Sequence, residues 1–304
     1  PGHTRAGFGD RSPRVCEDEH MKIEHFYDPR TSTLTYVVFD ESSRSAVVID
    51  PVLDFDVRSG RVFHDSAERV AAFVDEQQLE VVYALDTHPH ADHLTALHWF
   101  RQRYGAKTGI GAGIRAVQET WREEFNLGPD FPVDGSQFDV LLEDGEQLRA
   151  GPLVIDALLT EGHTPASMTF KIGDALFVGD LLFMPDSGTA RCDFPGGSAA
   201  VMYDSVQRLY ALPDETRVFT LHDYQPGGRE LRFESTIGDE QRENVHIREG
   251  VTKDEFVALR ARLEAGKEVP TLLFPAVQVN IDGGRLPRPE SNGVSYMKLP
   301  ISPP

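Results

Sequence analysis

The chain has 304 residues, 40% apolar and 26% charged, and no apolar run approaching the ~18 residues of a membrane span. That length is one large layered domain or about two smaller ones, and it excludes a disordered or fibrous chain. With 49 acidic against 30 basic residues the net charge is −19, so a phosphate backbone would be repelled and nucleic acid is not an expected partner.

Residues 1–22 are polar, aperiodic and without a signal-peptide core, and are expected to form a flexible leader. Leu34–Phe39 and Ala46–Asp50 are β-rich runs around a polar turn, a hairpin pattern. The polar stretch from Asp54 to Asp65 is expected to be an inserted loop. Ala67–Gln78 has helical spacing, and Leu79–Leu85 is an apolar strand that runs into Asp86-Thr87-His88-Pro89-His90-Ala91-Asp92-His93. His93–Tyr104 and Gly113–Phe125 follow as helices. Phe138–Leu148, Leu153–Thr160 and Met168–Val178 are expected to be strands, with turns at Asp144-Gly145 and Gly173-Asp174. Ser198–Tyr210 reads as a helix and Arg217–Leu221 as a short buried strand. Lys253–Ala265 reads as a helix capped by Thr252 and stopped by Gly266. The Pro- and Gly-rich end, from Val269 to Pro304, is expected to wrap the surface. The expected division is a catalytic domain over 23–250 and, in the same domain, a C-terminal helix and tail over 251–304. That last part would cover a substrate cleft or form a homodimer contact.

Three of the 11 histidines fall between His88 and His93. At a strand end the pleat no longer sends successive side chains to opposite faces, so His88, His90, Asp92 and His93 can converge. Packed imidazoles and a carboxylate would be electrostatically awkward without a cation, and these are the usual ligands of first-row transition metals. His163, Asp180 and His222 each follow an apolar run and are further candidate ligands. The scattered His3, His20, His25, His64, His98 and His246 are read as ordinary surface or core residues. Two cysteines, Cys16 and Cys192, are too few for a disulfide framework or thiolate zinc site and fit a reducing compartment. Cys192 is read as a packing residue. With no targeting signal, the expected location is the cytoplasm.

The pattern His88-x-His90-x-Asp92-His93 with His163, Asp180 and His222 resembles the metallo-β-lactamase superfamily. That resemblance implies an α/β fold, an αββα sandwich of two mixed sheets with helices outside. The runs Gly179–Asp186 and Gly188–Gly197, with Arg191 and Asp193, and the run His222-Asp223-Tyr224 resemble the persulfide dioxygenase group. Val52–Asp56, Asp134–Phe138 and Gln278–Ile281 are similar to its longer bacterial branch. The resemblance implies one Fe(II) held by His88, His163 and Asp180, with glutathione persulfide and O2 as substrates and sulfite and glutathione as products. Arg191 and Tyr224 would then contact substrate, while His90, Asp92, His93 and His222 orient ligands and water, and Asp193 fixes Arg191 or its loop. The alternative is a glyoxalase II-like hydrolase of glutathione thioesters with zinc or a dinuclear metal pair. There His88, His90, His163 and Asp180 hold one metal, and Asp92, His93, His222 and Asp180 the other. Glu161 departs from the pattern, which more often has proline before Gly162-His163. Its presence would loosen the loop and add negative charge near the metal.

Overall fold

The computed structural model describes residues 20–301. The first sheet runs β1 (Met21–Asp28), β2 (Thr33–Asp40), β3 (Ser45–Ile49), β6 (Glu80–Leu85), β8 (Lys107–Gly111) and β9 (Val140–Leu142), in that order. The second runs β10 (Gln147–Ala150), β11 (Leu153–Leu159), β12 (Met168–Ile172), β13 (Ala175–Phe177), β14 (Arg217–Phe219) and β15 (Glu234–Thr236). Both are mixed. The β1–β2–β3 ladder is antiparallel and β3–β6–β8–β9 parallel, whereas in the second sheet only β13–β14 is parallel.

Alternation along β2 and β3 explains the layering. Tyr36, Val38, Val47 and Ile49 face Ile155, Phe170, Phe177 and Phe219 of the second sheet. Val37, Phe39, Ala46 and Val48 point the other way, into a core shared with α1 (Asp65–Glu76), α2 (Leu97–Tyr104), α3 (Ile114–Glu124) and α7 (Leu273–Asn280). Val218 and Leu176, on the outer face of the second sheet, pack with residues of α4 (Ala199–Tyr210), α5 (Ile237–Glu243) and α6 (Lys253–Glu264). The result is the expected αββα sandwich. A fully buried strand such as β2 needs apolar residues at both parities, which is why Tyr36–Phe39 is an unbroken apolar run.

Several expectations need correction. The stretch Asp54–Asp65 is not a loop: β4 (Val52–Asp56) and β5 (Arg61–Phe63) form a hairpin, and β4 also pairs with β7 (Leu94–Thr95). The helix expected from His93 begins only at Leu97, because Leu94 and Thr95 are held in that small sheet. Phe138–Leu148 divides at Asp144-Gly145 between the two sheets, the break falling at the expected turn. The tail is more than a surface wrap, since α7 lies within it with Ala276, Val279 and Asn280 fully buried. β1 takes in Met21 and Lys22, His20 is an exposed turn residue before it, and residues 1–19 of the expected leader lie outside the described residues. Thr252 does cap α6, in a reciprocal box with Glu255. Among the described residues no helix is long and apolar enough to cross a membrane.

Candidate metal centre

Each candidate ligand follows a strand end. The His88–His93 loop leaves β6 of the first sheet, while His163, Asp180 and His222 follow β11, β13 and β14 of the second. The structure brings them together in two groups whose ligating atoms lie within 4.8 Å of one another: His88, His163 and Asp180, and Asp92, His93 and His222. Asp180 lies between the groups. Its Oδ2 is 3.9 Å from His88 Nε2 and 3.5 Å from His163 Nε2, and its Oδ1 is 3.4 Å from His222 Nε2.

His90 stands apart. Its Nε2 lies 3.1 Å from Asp50 Oδ1 and 3.8 Å from Asp86 Oδ1, in a third, fully buried group. Burial opposes charge on this imidazole, but the two carboxylates overcome it and hold the pKa well above the ordinary histidine range. Burial raises Asp86 to about 6. Asp50 is itself anchored by Thr87, whose backbone N donates at 2.7 Å. His88 is shifted the other way, its pKa lowered by burial and by the imidazoles around it, which leaves it neutral, the form in which an imidazole can bind a metal.

The Nδ1 atoms are tied down. His163 Nδ1 donates to the Arg191 carbonyl at 2.7 Å, His88 Nδ1 lies 3.1 Å from Thr87 Oγ1, and His222 Nδ1 donates to the Ser32 carbonyl at 3.2 Å. Such contacts fix ring orientation and leave Nε2 to face inward. Nε2 of His88, His93 and His222, with Asp92 Oδ2 and Asp180 Oδ1, are buried without an aligned hydrogen-bond partner. Leaving such groups unmet costs about 1–3 kcal/mol each. A cation at their convergence removes that cost, and a donor set of imidazole and carboxylate suits iron or zinc, so these residues fit a metal.

The centre opens on a cavity of 920 Å³ whose wall includes Asp92, His163, Asp180, Phe183, Arg191 and Tyr224. Tyr224 is half-exposed and stacks on His222 with ring centroids 5.7 Å apart. Arg191 is buried and largely committed: Nε and Nη2 form a fork on Asp193 at 2.6 and 2.7 Å, and Nη1 donates to the Glu268 carbonyl at 2.7 Å. The same carboxylate raises the guanidinium pKa. Asp223, which precedes Tyr224 in the chain, is buried and accepts a fork from Arg229 at 2.7 and 2.8 Å.

Glu161 does not leave its loop loose. Ser205 Oγ donates to the Glu161 carbonyl at 2.7 Å, and the Ser198 N–H donates to the Gly162 carbonyl at 2.8 Å. Two anchors from α4 replace the stiffness of a proline. Gly162 itself has φ +137°, and a Cβ there would strike the Met202 backbone. Cys192 is buried with Sγ 3.4 Å from Met202 Sδ, and burial pushes its thiol up to about 12, so it is inert packing.

The sequence reading missed several residues. Asp50 and Asp86, the partners of His90, carry a signal in hindsight: each directly follows an apolar strand, as Asp180 and His222 do. His246, read as ordinary, lines the cavity and accepts the Thr189 N–H on Nδ1 at 2.9 Å. Arg30 and Lys267, which also line the cavity, had no local pattern that marked them, and Asn280 falls in the Gln278–Ile281 run, which was noted only as a resemblance.

Known proteins agree with this architecture. The family model "Metallo-beta-lactamase superfamily" matches residues 28–222. A probable metallo-hydrolase of Burkholderia pseudomallei is 49% identical over 92% of this chain and 99% of its own length. Glyoxylase B2 of Dictyostelium discoideum is 42% identical, covering 92% and 97%. Human mitochondrial persulfide dioxygenase ETHE1 is 30% identical, covering 86% and 88%. The crystal structure of ETHE1 from Myxococcus xanthus superimposes with a TM-score of 0.71 at 33% identity, covering 87% of this chain and all of that one. The chain spans 65% of the length of the 48% identical beta-lactamase hydrolase-like protein of Xylella fastidiosa. By motif, layered fold and these relatives, the chain belongs to the metallo-β-lactamase superfamily, in the group that includes the persulfide dioxygenases.

Proposed function

We propose that this protein is a persulfide dioxygenase that uses one Fe(II) to oxidise glutathione persulfide with O2. The observation that carries the reading is the grouping of His88, His163 and Asp180 without His90, whose Nε2 lies against Asp50 instead. Two histidines and one carboxylate on one side of an open cavity are the ligand set of non-haem Fe(II) oxygenases. The named activity of the ETHE1 relatives supports the same reading.

His88, His163 and Asp180 would hold the metal, which when bound would supply the redox capacity for joining O2 to a sulfur. The remaining residues bind and orient. The Arg191 carbonyl holds His163 in the tautomer with a bare Nε2. Asp193 and Glu268 hold Arg191 against Phe194, its guanidinium carbon 4.9 Å from the ring centre, and the remaining N–H groups would be available to a polar end of the substrate. Tyr224 and Phe183, with ring centroids 5.7 Å apart, form an aromatic wall of the cavity that would lie beside a bound persulfide. Balance requires one O2 and one water for each persulfide, giving one glutathione, one sulfite and two protons.

A second reading is favoured by the position of Asp180 between the two ligand groups. It would then bridge two metals, as in a hydrolase of glutathione thioesters, and the name of the Dictyostelium relative points the same way. Oxygen consumption by Fe(II)-loaded protein on addition of glutathione persulfide, with sulfite assayed alongside, separates the two. Equal O2 uptake and sulfite, both lost in His163→Ala, supports the dioxygenase. No uptake, with O2-independent hydrolysis of S-lactoylglutathione, overturns it in favour of the hydrolase.

A further inference from the structure

The run Gln278-Val279-Asn280-Ile281 ends α7 and lies far along the chain from every candidate ligand, yet Asn280 is fully buried against the loop that carries them. Its Nδ2 donates to the carbonyl oxygens of both His90 and His93, each at 2.8 Å. Its Oδ1 accepts the Thr95 N–H, also at 2.8 Å. The loop between β6 and β7 has no ladder of its own, and among the described residues no backbone N–H reaches either histidine carbonyl. One side chain therefore fixes three points of a segment that must aim His90, Asp92 and His93. The helix end can come this close because Gly284 sits where a Cβ would crowd the Thr95 carbonyl and the His98 N–H, each 3.0 Å away.

We infer that Asn280 is a positioning residue of the metal centre: by locking the backbone of the His90–His93 segment it sets how tightly the group of Asp92, His93 and His222 holds a cation. Two donors and an acceptor at this reach are what a primary amide provides. Aspartate has the same shape and keeps the acceptor for Thr95 but offers two buried carbonyls no donor. Gln278, two residues earlier, supplies an internal control. Its side chain pairs with both backbone groups of Lys298, at 2.8 Å each, and so ties down the tail without contacting the loop.

The test titrates Zn(II) into the metal-free full-length chain against a chromogenic chelator, a readout of metal binding that assays neither reaction. Asn280→Asp is expected to weaken zinc at least about 10-fold, the range seen when groups supporting metal ligands are removed. Co(II) in the same variant is expected to show altered visible absorption bands. Gln278→Ala is expected to lower the thermal midpoint and leave zinc affinity within about twofold. Wild-type zinc affinity in folded Asn280→Asp would overturn the inference, as would equal weakening in both variants. Should Asn280→Asp not fold, Asn280→Ser, which keeps one donor, is read by the same criteria. If neither folds, Asn280 serves folding alone and the inference fails.

Discussion

Replacing Glu240 with glutamine is expected to remove a pH dependence from the stability of the fold. Glu240 lies in α5 with no exposed surface, its Oε1 accepting from Ser235 Oγ at 2.6 Å and its Oε2 from Asn244 Nδ2 at 2.7 Å. Burial raises its pKa from 4.5 to about 7, and the two hydrogen bonds only partly offset this. The folded state therefore favours the neutral acid. Stability from this group is complete below the unfolded value near 4.5 and is lost as pH rises through about 7. At 1.36 kcal/mol per pH unit the whole gap is worth about 3 kcal/mol. Glutamine is neutral throughout and retains a carbonyl for Asn244 and an amide for Ser235. Urea denaturation of both proteins at equal metal content, from pH 5.5 to 8, should find Glu240→Gln gaining about 2 kcal/mol on the wild type across that window. The comparison cancels the titration of the metal ligands, which both proteins share. A stability difference that stays level with pH would refute the argument.

Two further outcomes follow from geometry already described. Gly162→Ala should lower stability by about 2 kcal/mol or more, since the new methyl meets the Met202 backbone at a φ that disfavours side chains, and it should reduce metal content by displacing His163. Thermal melts and metal analysis of the purified variant check both; a variant that melts and loads normally contradicts the packing argument. Cys192→Ala should leave turnover unchanged, and iodoacetamide should not label Cys192 in the native chain, because the thiol is buried and pushed up to about 12. Rapid labelling at neutral pH would show the thiol to be accessible.

The parts legible in the sequence share a local cause. The β2–β3 hairpin, the strand leading into Asp86–His93 and the Thr252 cap each depend on residues within a few positions, so pattern and chemistry coincide. The parts that were not legible depend on distant partners. Val52–Asp56 becomes a strand because Leu94-Thr95 returns to pair with it. α7 is apolar nearly all round and lacks a side-chain cap, so nothing in Leu273–Asn280 shows the face or start of a helix. His90 has the spacing of a ligand, and only the fold shows Asp50 and Asp86 beneath it. Residue type and spacing identify who can bind a metal; the carboxylates a ring can reach decide which group it joins.

The two ligand groups draw on both sheets, with His88–His93 from the first and His163, Asp180 and His222 from the second. This sets an order of assembly. A metal that meets the chain before the sheets dock finds only a part of each group, the His88–His93 segment on one sheet or His163, Asp180 and His222 on the other. The complete donor set arises when Tyr36 and Ile49 have packed on Phe177 and Phe219, so tight loading reports that the sandwich has closed. Metal uptake is then a late checkpoint in the life of the chain, and a variant that weakens the inter-sheet core far from the cavity should load poorly even with every ligand intact.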